Sequence, residues 1–322
     1  MKSKILNLLS NFAGFRRIKS PGNGLYCFNY HRIGSPDATQ FDPNVFSCTA
    51  ANFEKHLLYY KKEFRLIDIN ELCQLAKTKS PINEKLALIT FDDGYIDNFT
   101  VALPLLKKHN MSAVFFLPTE FIGNMQIPWW DEAAWLIKSC TNDSVKLSNW
   151  SKPIVIDRSH LHISIREVLK CLKAEDNISM KEKLSELYDV LQIEEGKSPN
   201  DERLFLNWDE VKELCAAGMG IGSHSNSHKI LSHLPLAEQK QEILVSIQVL
   251  QEKLNMRVSA FAYPVGGENT YSPETINLLV AHDIDVAFTF IEGVNTNLFD
   301  NRYELGRIPV YDNPDPSSLL KY

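Results

Sequence analysis

One rhythm constrains this chain more than any other feature. Short apolar, β-rich runs at 25–31, 86–91, 113–117, 220–224, 260–264, 286–290 and 305–310 alternate with amphipathic stretches near 51–62, 97–109, 207–217, 235–254 and 273–283. Several runs, such as 86–89 and 114–117, are continuously apolar, the pattern of strands covered on both faces. Two helix starts are well marked. Asn207 with Glu210 three residues on reads as a capping box, and Ser272 reads as a cap with Pro273 at the first helical position. Alternation of this kind predicts a parallel sheet of α/β class. A barrel fits better than an open sheet, because the chemically capable residues cluster at strand ends: His31, Asp92, Asp93, His224 and the 264–266 turn. In a parallel barrel those ends all open on one face. With 322 residues, 44% hydrophobic and 23% charged, the chain can bury the core that such a unit needs.

Two segments depart from the rhythm. From about 125 to 206, Pro128-Trp129-Trp130-Asp131 is followed by what reads as two polar helices. This predicts a helical insertion packed beside the barrel, within one domain spanning 24–322. Residues 1–23 form a basic amphipathic segment. Lys2, Lys4, Arg16, Arg17 and Lys19 occur with no acid before Asp37, and Ile5, Leu8, Leu9 and Phe12 recur at helical spacing. The apolar run is interrupted and lacks a small-x-small cleavage pattern, so it reads poorly as a secretory signal. It is also shorter than the ~20 apolar residues that span a bilayer. Two readings stay open: peripheral contact with an anionic membrane, or a terminal helix docked on the core. The compartment is accordingly open between cytoplasm and membrane surface. A net charge of −6 with both signs mixed along the chain argues against a nucleic-acid partner. The six cysteines contain no CxxC pair and read as buried thiols.

The sharpest chemical signal is Thr90-Phe91-Asp92-Asp93-Gly94. A buried strand ends in two adjacent carboxylates, and the glycine lets the chain turn so that both reach one site. Alone, this also reads as a turn with a helix cap, Asp97 included. The second signal is Gly222-Ser223-His224-Ser225-Asn226-Ser227-His228. Histidines at i and i+4 can face the same way on one helical turn, and alone they read equally as a polar loop. Together the two signals supply one acid ligand, two imidazoles and a spare carboxylate. That set suits a divalent metal with an open position for water, and a cation would explain two carboxylates side by side.

On these residues the chain resembles the polysaccharide deacetylases of the NodB-homology type, carbohydrate esterase family 4, over roughly 24–310. Residues 90–94 look like that family's first motif. The resemblance implies that Asp92 is the general base and that Asp93, His224 and His228 bind the metal, most often zinc. Asn207-Trp208-Asp209-Glu210-Val211 leading to Gly220-Ile221-Gly222-Ser223-His224, and the stretch 113–119, are similar to the family's usual context. The implied fold is the NodB-homology fold, a distorted (β/α)7-type barrel. The implied activity is metal-dependent hydrolysis of N-acetyl groups on the amino sugars of a glycan.

Two departures from the pattern carry expectations of their own. The Arg of the family's third motif is replaced by Ala262 in Phe261-Ala262-Tyr263-Pro264-Val265-Gly266, and Arg307 is the candidate substitute. The Val265 backbone N–H remains available as an oxyanion donor. The family's C-terminal Leu-x-His is missing, the last histidine being His282 on a helix. Tyr30-His31-Arg32 instead resembles a branch, including biofilm poly-N-acetylglucosamine deacetylases, with its acid histidine on an N-terminal strand, so His31 is the expected general acid. Trp129, Trp130 and Tyr263 are the expected substrate-binding residues. A deacetylase or deformylase of lipid-linked or nucleotide-linked sugars, and a non-catalytic carbohydrate-binding relative, are the alternatives.

Overall fold

The computed structural model describes residues 22–174, 178–197 and 203–320. The basic segment at 1–19 lies outside them. Among the described residues no helix is long and apolar enough to cross a membrane.

All seven expected strands form and close into a parallel barrel. They are β1 (Gly24–Tyr30), β2 (Lys85–Phe91), β3 (Val114–Leu117), β4 (Gly220–Ser223), β5 (Ala260–Ala262), β6 (Val286–Glu292) and β7 (Leu305–Pro309). Around the ring the order is β1-β7-β6-β5-β4-β3-β2, and β2 pairs back onto β1 from Gly24↔Lys85 to Tyr30↔Phe91. The barrel is distorted in two places. The register shifts between β6 and β7, and a two-residue strand, Arg65–Leu66, borders the first half of β2 before β3 takes over.

Alternation along the strands separates two apolar layers, as a period of two requires. Leu25, Cys27, Leu86, Leu88, Val286 and Leu305 belong to one cluster, whereas Tyr26, Phe28, Tyr30, Ala87 and Ile89 pack with the helices. At Gly222 a Cβ would stand 2.4 Å from the Phe116 ring, so the bulky residue on β3 requires the glycine on β4.

The helices Ala50–Glu63, Trp208–Ala216, Leu236–Leu254 and Pro273–Ala281 lie where expected, and the Asn207–Glu210 and Ser272–Thr275 capping boxes are both made. The expected 97–109 helix begins instead as a π turn, Asn98–Ala102, before Leu103–His109. Asp97 does not cap it. Its carboxylate accepts from Arg32 Nε and the Ile33 N–H, both at 2.8 Å. Among the described residues the insertion holds three helices rather than two: Trp129–Ser139, opened by Pro128, then Leu161–Leu172 and Met180–Leu191. They share an apolar cluster with Tyr95, Phe121 and Phe205 from the barrel loops. The six cysteines are free, but Cys171 and Cys215 are only half-buried.

Candidate metal centre and active site

The site is built by three turns at the carboxyl ends of β2, β4 and β5. After β2, Asp93 and Gly94 both adopt φ 71. Two successive left-handed residues bend the chain sharply enough for neighbouring carboxylates to share one mouth. A side chain at Gly94 would meet Leu117 at 2.8 Å. After β4 the histidine pair does not lie on a helical turn, contrary to the reading from spacing. Ser225 (φ 62) and His228 (φ 57) are left-handed, and the loop folds back on itself. Glu242, buried on the helix Leu236–Leu254, clamps it by accepting from the N–H groups of Asn226 (3.1 Å) and Ser227 (2.8 Å).

His224 Nε2 and His228 Nε2 stand 3.6 and 3.4 Å from Asp93 Oδ1. These separations are long for hydrogen bonds. They match two ligands at a tetrahedral ion, which at bond lengths of 2.0–2.2 Å lie about 3.3–3.6 Å apart. Asp93 Oδ1 is buried without a hydrogen-bond partner. His224 Nδ1 lies 2.8 Å from the Ala262 carbonyl, which only accepts, so the proton sits on Nδ1 and the Nε2 lone pair faces Asp93. Burial, reinforced by the charges of Asp92 and Asp131, pushes the Asp93 carboxyl well above its usual range. Burial also pushes the His228 imidazole well below its own, as its neighbour His224 does. A neutral imidazole pair beside a carboxylate that lacks a cation is a donor set suited to a divalent metal, and the three residues form the one such group among the described residues.

Asp92 is held quite differently. Arg307, 1% exposed, reaches from β7 and donates from Nη1 to Asp92 Oδ1 at 2.7 Å, while its Nε donates to the Thr289 carbonyl. Burial alone would raise the Asp92 carboxyl, but the guanidinium and then His224 outweigh it and hold the group well below the ordinary carboxylate range. The guanidinium missing at Ala262 thus reaches the same carboxylate from another strand.

His31 and Val265 line the same cavity of about 1250 Å³ as both carboxylates. The His31 ring packs edge-on to Phe290 at 5.9 Å, and its flanks are fixed by the loop after β2: Asn98 Nδ2 donates to the His31 carbonyl and Asp97 pairs with Arg32. Burial drives the imidazole down to about 4, with Asp92 opposing and Arg307 assisting. Val265 sits at φ 63, a costly conformation for a β-branched residue. His233 belongs to a short 3-10 turn, Leu231–His233, on the cavity rim.

The three expected substrate residues fare unequally. Trp129 is half-buried on the cavity wall with Lys173 Nζ 5.8 Å from its ring centre. Trp130 is 6% exposed, donates to Tyr95 Oη at 2.8 Å and lies 4.8 Å from the His228 ring, so it backs that imidazole. Tyr263 is fully buried, stacked on Tyr271, with its hydroxyl donating to the Tyr303 carbonyl. It braces the mouth and has no hydroxyl proton to spare for a ligand. Glu242 and Asn98 escaped the sequence reading, and Asp97 entered it only as a possible helix cap. Their one available signal was polarity at buried positions, which shows only once the partners are in place.

The sequence profile of the polysaccharide deacetylases matches residues 79–287. YxkH of Bacillus subtilis (strain 168), which is assigned to the same family by name, is 50% identical over 97 residues, 30% of this chain and 32% of that protein, so the match spans about a third of the relative's length. Among solved structures, the Streptococcus pyogenes deacetylase PplD in complex with acetate superimposes with a TM-score of 0.60 at 19% identity, covering 93% of this chain and 98% of that one. IcaB from Ammonifex degensii gives 0.58 at 19% identity with the same coverage, and the Bacillus cereus polysaccharide deacetylase BC0361 gives 0.57 at 15%, covering 92% and 69%. At these identities the likeness is one of fold. The profile runs through β2, β3, β4 and β5 and so spans both carboxylates and both histidines. More than half of the chain carries the family's sequence pattern on a barrel shared along most of its length, and the chain belongs to the polysaccharide deacetylase family.

Proposed function

We propose that the protein hydrolyses the N-acetyl groups of amino sugars in a glycan, using a divalent metal, zinc by its ligand set, held by Asp93, His224 and His228. The observation that carries this reading is the pairing of two unlike carboxylates. One stands from two bare imidazole nitrogens at the spacing of fellow ligands of one ion, and the other is fixed by Arg307 beside it. When bound, the ion supplies Lewis acidity for the amide carbonyl and for water. Asp92, kept ionised by Arg307, accepts the proton of the attacking water. The Val265 N–H stabilises the oxyanion as the carbonyl becomes tetrahedral. His31 hydrogen-bonds the leaving nitrogen and protonates it, and Trp129 offers a ring face to the sugar. Acetate and a free amine result.

A lipid-linked amino sugar is the second reading. It is favoured by the apolar lining of the far wall of the cavity, which the insertion supplies with Leu169, Leu172, Met180 and Leu184. The test is acetate release from chitooligosaccharides, poly-N-acetylglucosamine and lipid-linked N-acetyl sugars, with and without added zinc. Zinc-dependent release from a glycan is expected. Release confined to the lipid-linked sugars would favour the second reading, and no release from any would overturn both.

A further inference from the structure

The proposed reaction uses Asp92, yet polar groups beneath it inside the barrel take part in no step. Along β1, β2 and β7 the inward positions are apolar at Leu25 and Cys27, at Leu86 and Leu88, and at Leu305. They turn polar together at Asn29, Thr90 and Arg307, all 1% exposed or less. Such a layer is unfavourable unless each member is hydrogen-bonded, and here each is. Arg307 Nη1 donates to Asn29 Oδ1 at 2.8 Å as well as to Asp92 Oδ1 at 2.7 Å. Thr90 Oγ1 donates to the same Asn29 oxygen at 2.8 Å. Asn29 Nδ2 donates to Asp92 Oδ2 at 3.3 Å. The amide orientation is forced, because a guanidinium only donates. The Asn29 atom beside Arg307 must therefore be the oxygen, which turns the NH₂ toward Asp92.

We propose that Asn29, seated by Thr90, is a positioning residue for Asp92, a role that rests on reading Asp92 as the base. A carboxyl group turns easily about its last side-chain bond, whose torsion is broad. Arg307 grips one oxygen and leaves that rotation open. Asn29 takes the other oxygen from a neighbouring strand, so the plane of the carboxylate is fixed by donors from β1 and β7. Thr90 keys the amide from β2, the strand that leads into Asp92 itself. A proton acceptor works only in a narrow range of geometry, so fixing that plane acts on turnover rather than on binding.

The experiment compares kcat, KM, zinc per chain and thermal unfolding for the full-length wild type, Thr90→Val, Asn29→Leu, Arg307→Lys and the double variant Asn29→Leu/Arg307→Lys. Asn29→Leu is expected to lower kcat by roughly 10- to 100-fold, the range for a lost hydrogen bond to a charged group, with KM and zinc content unchanged. Thr90→Val, which changes one buried atom, is expected to lower kcat by about threefold or more. The double variant should lose less than the product of the single losses, because both residues act through one carboxylate. Unchanged kcat in a folded Thr90→Val or Asn29→Leu protein overturns the proposal, as does a loss that appears in KM or in zinc content, or one that multiplies. If Asn29→Leu fails to fold, Thr90→Val decides. A wild-type protein that releases no acetate removes the reading of Asp92 instead, a result distinct from an active wild type matched by its variants.

Discussion

Asp92 and Asp93 are sequence neighbours with opposite electrostatics, and the difference is set by what faces each oxygen. Asp92 has a buried guanidinium at 2.7 Å, whereas Asp93 has two imidazole nitrogens at 3.4 and 3.6 Å. Asp92→Asn should therefore bind zinc nearly as the wild type does while losing roughly 10²–10⁴ of turnover. His228→Ala should lose the metal itself. Zinc per chain and kcat, measured on both variants, separate these outcomes, and metal loss in Asp92→Asn would show the two carboxylates exchanged. His31 poses a sharper question. Its imidazole, pushed down to about 4, is neutral at pH 7 in the resting protein, and its charged fraction falls about tenfold for each pH unit above that value. If the charged ring is the donor, kcat/KM falls as pH rises through the neutral range. His31→Ala should then remove that slope along with roughly 10²–10⁴ of the rate, zinc content being unchanged. A slope that survives in His31→Ala would assign the proton to another group.

At the scale of elements, the site is a set of strand ends that turn through left-handed backbone: Asp93 and Gly94 after β2, Ser225 and His228 after β4, Val265 and Gly266 after β5. Gly94→Ala tests the tightest of these. Its φ of 71 disfavours any side chain, and the new methyl would meet Leu117 at 2.8 Å. A loss of about 1–3 kcal/mol by denaturant unfolding is expected, with weaker zinc binding because the same turn aims Asp93. This backbone is also where sequence reading reached its limit. The seven strands were legible because apolar runs and their spacing are local properties, and the Asn207–Glu210 capping box and the Ser272 cap were legible for the same reason. The His224–His228 loop was not, since spacing of four fits a helical turn and says nothing of a clamp supplied by Glu242 from a later helix. The insertion's first helix was hidden in an aromatic run, Trp129 and Trp130, that fits a sugar platform and core packing alike until Tyr95 and His228 are seen against Trp130. The seven-residue helix Ile69–Leu75 was too short to show a period. The resemblance implied which carboxylate does what, and the proposed assignment is supported by packing that sequence could not show, Arg307 against Asp92 from the last barrel strand.

At the scale of the whole molecule, the proposed metal site joins parts of the ring that the sheet does not pair directly. Asp93 follows β2 and His224 follows β4, with β3 between them. An ion bound there stabilises the folded barrel by mass action, about 4 kcal/mol at a thousandfold excess over Kd, or on the order of 10 °C in Tm for a chain of this size. Its removal should do more than subtract that amount. Without a cation, burial and the neighbouring acids hold the Asp93 carboxyl well above its unfolded value near 3.8. A carboxyl raised in the folded state binds a proton more tightly there than in the unfolded chain. Its contribution is fully present below the unfolded pKa and is lost as pH rises through the folded one. Chelated protein should therefore lose stability from pH 5 upward, while zinc-loaded protein, whose Asp93 is paired with the ion, should not share that loss. The Tm gap between the two forms should widen with pH. Asp93→Asn supplies the internal check. It removes the buried charge, so the chelated variant should be at least as stable at pH 8 as chelated wild type, with a flatter pH dependence and no gain from added zinc. A constant Tm gap from pH 5 to 8, or a zinc gain retained in Asp93→Asn, would place the metal elsewhere.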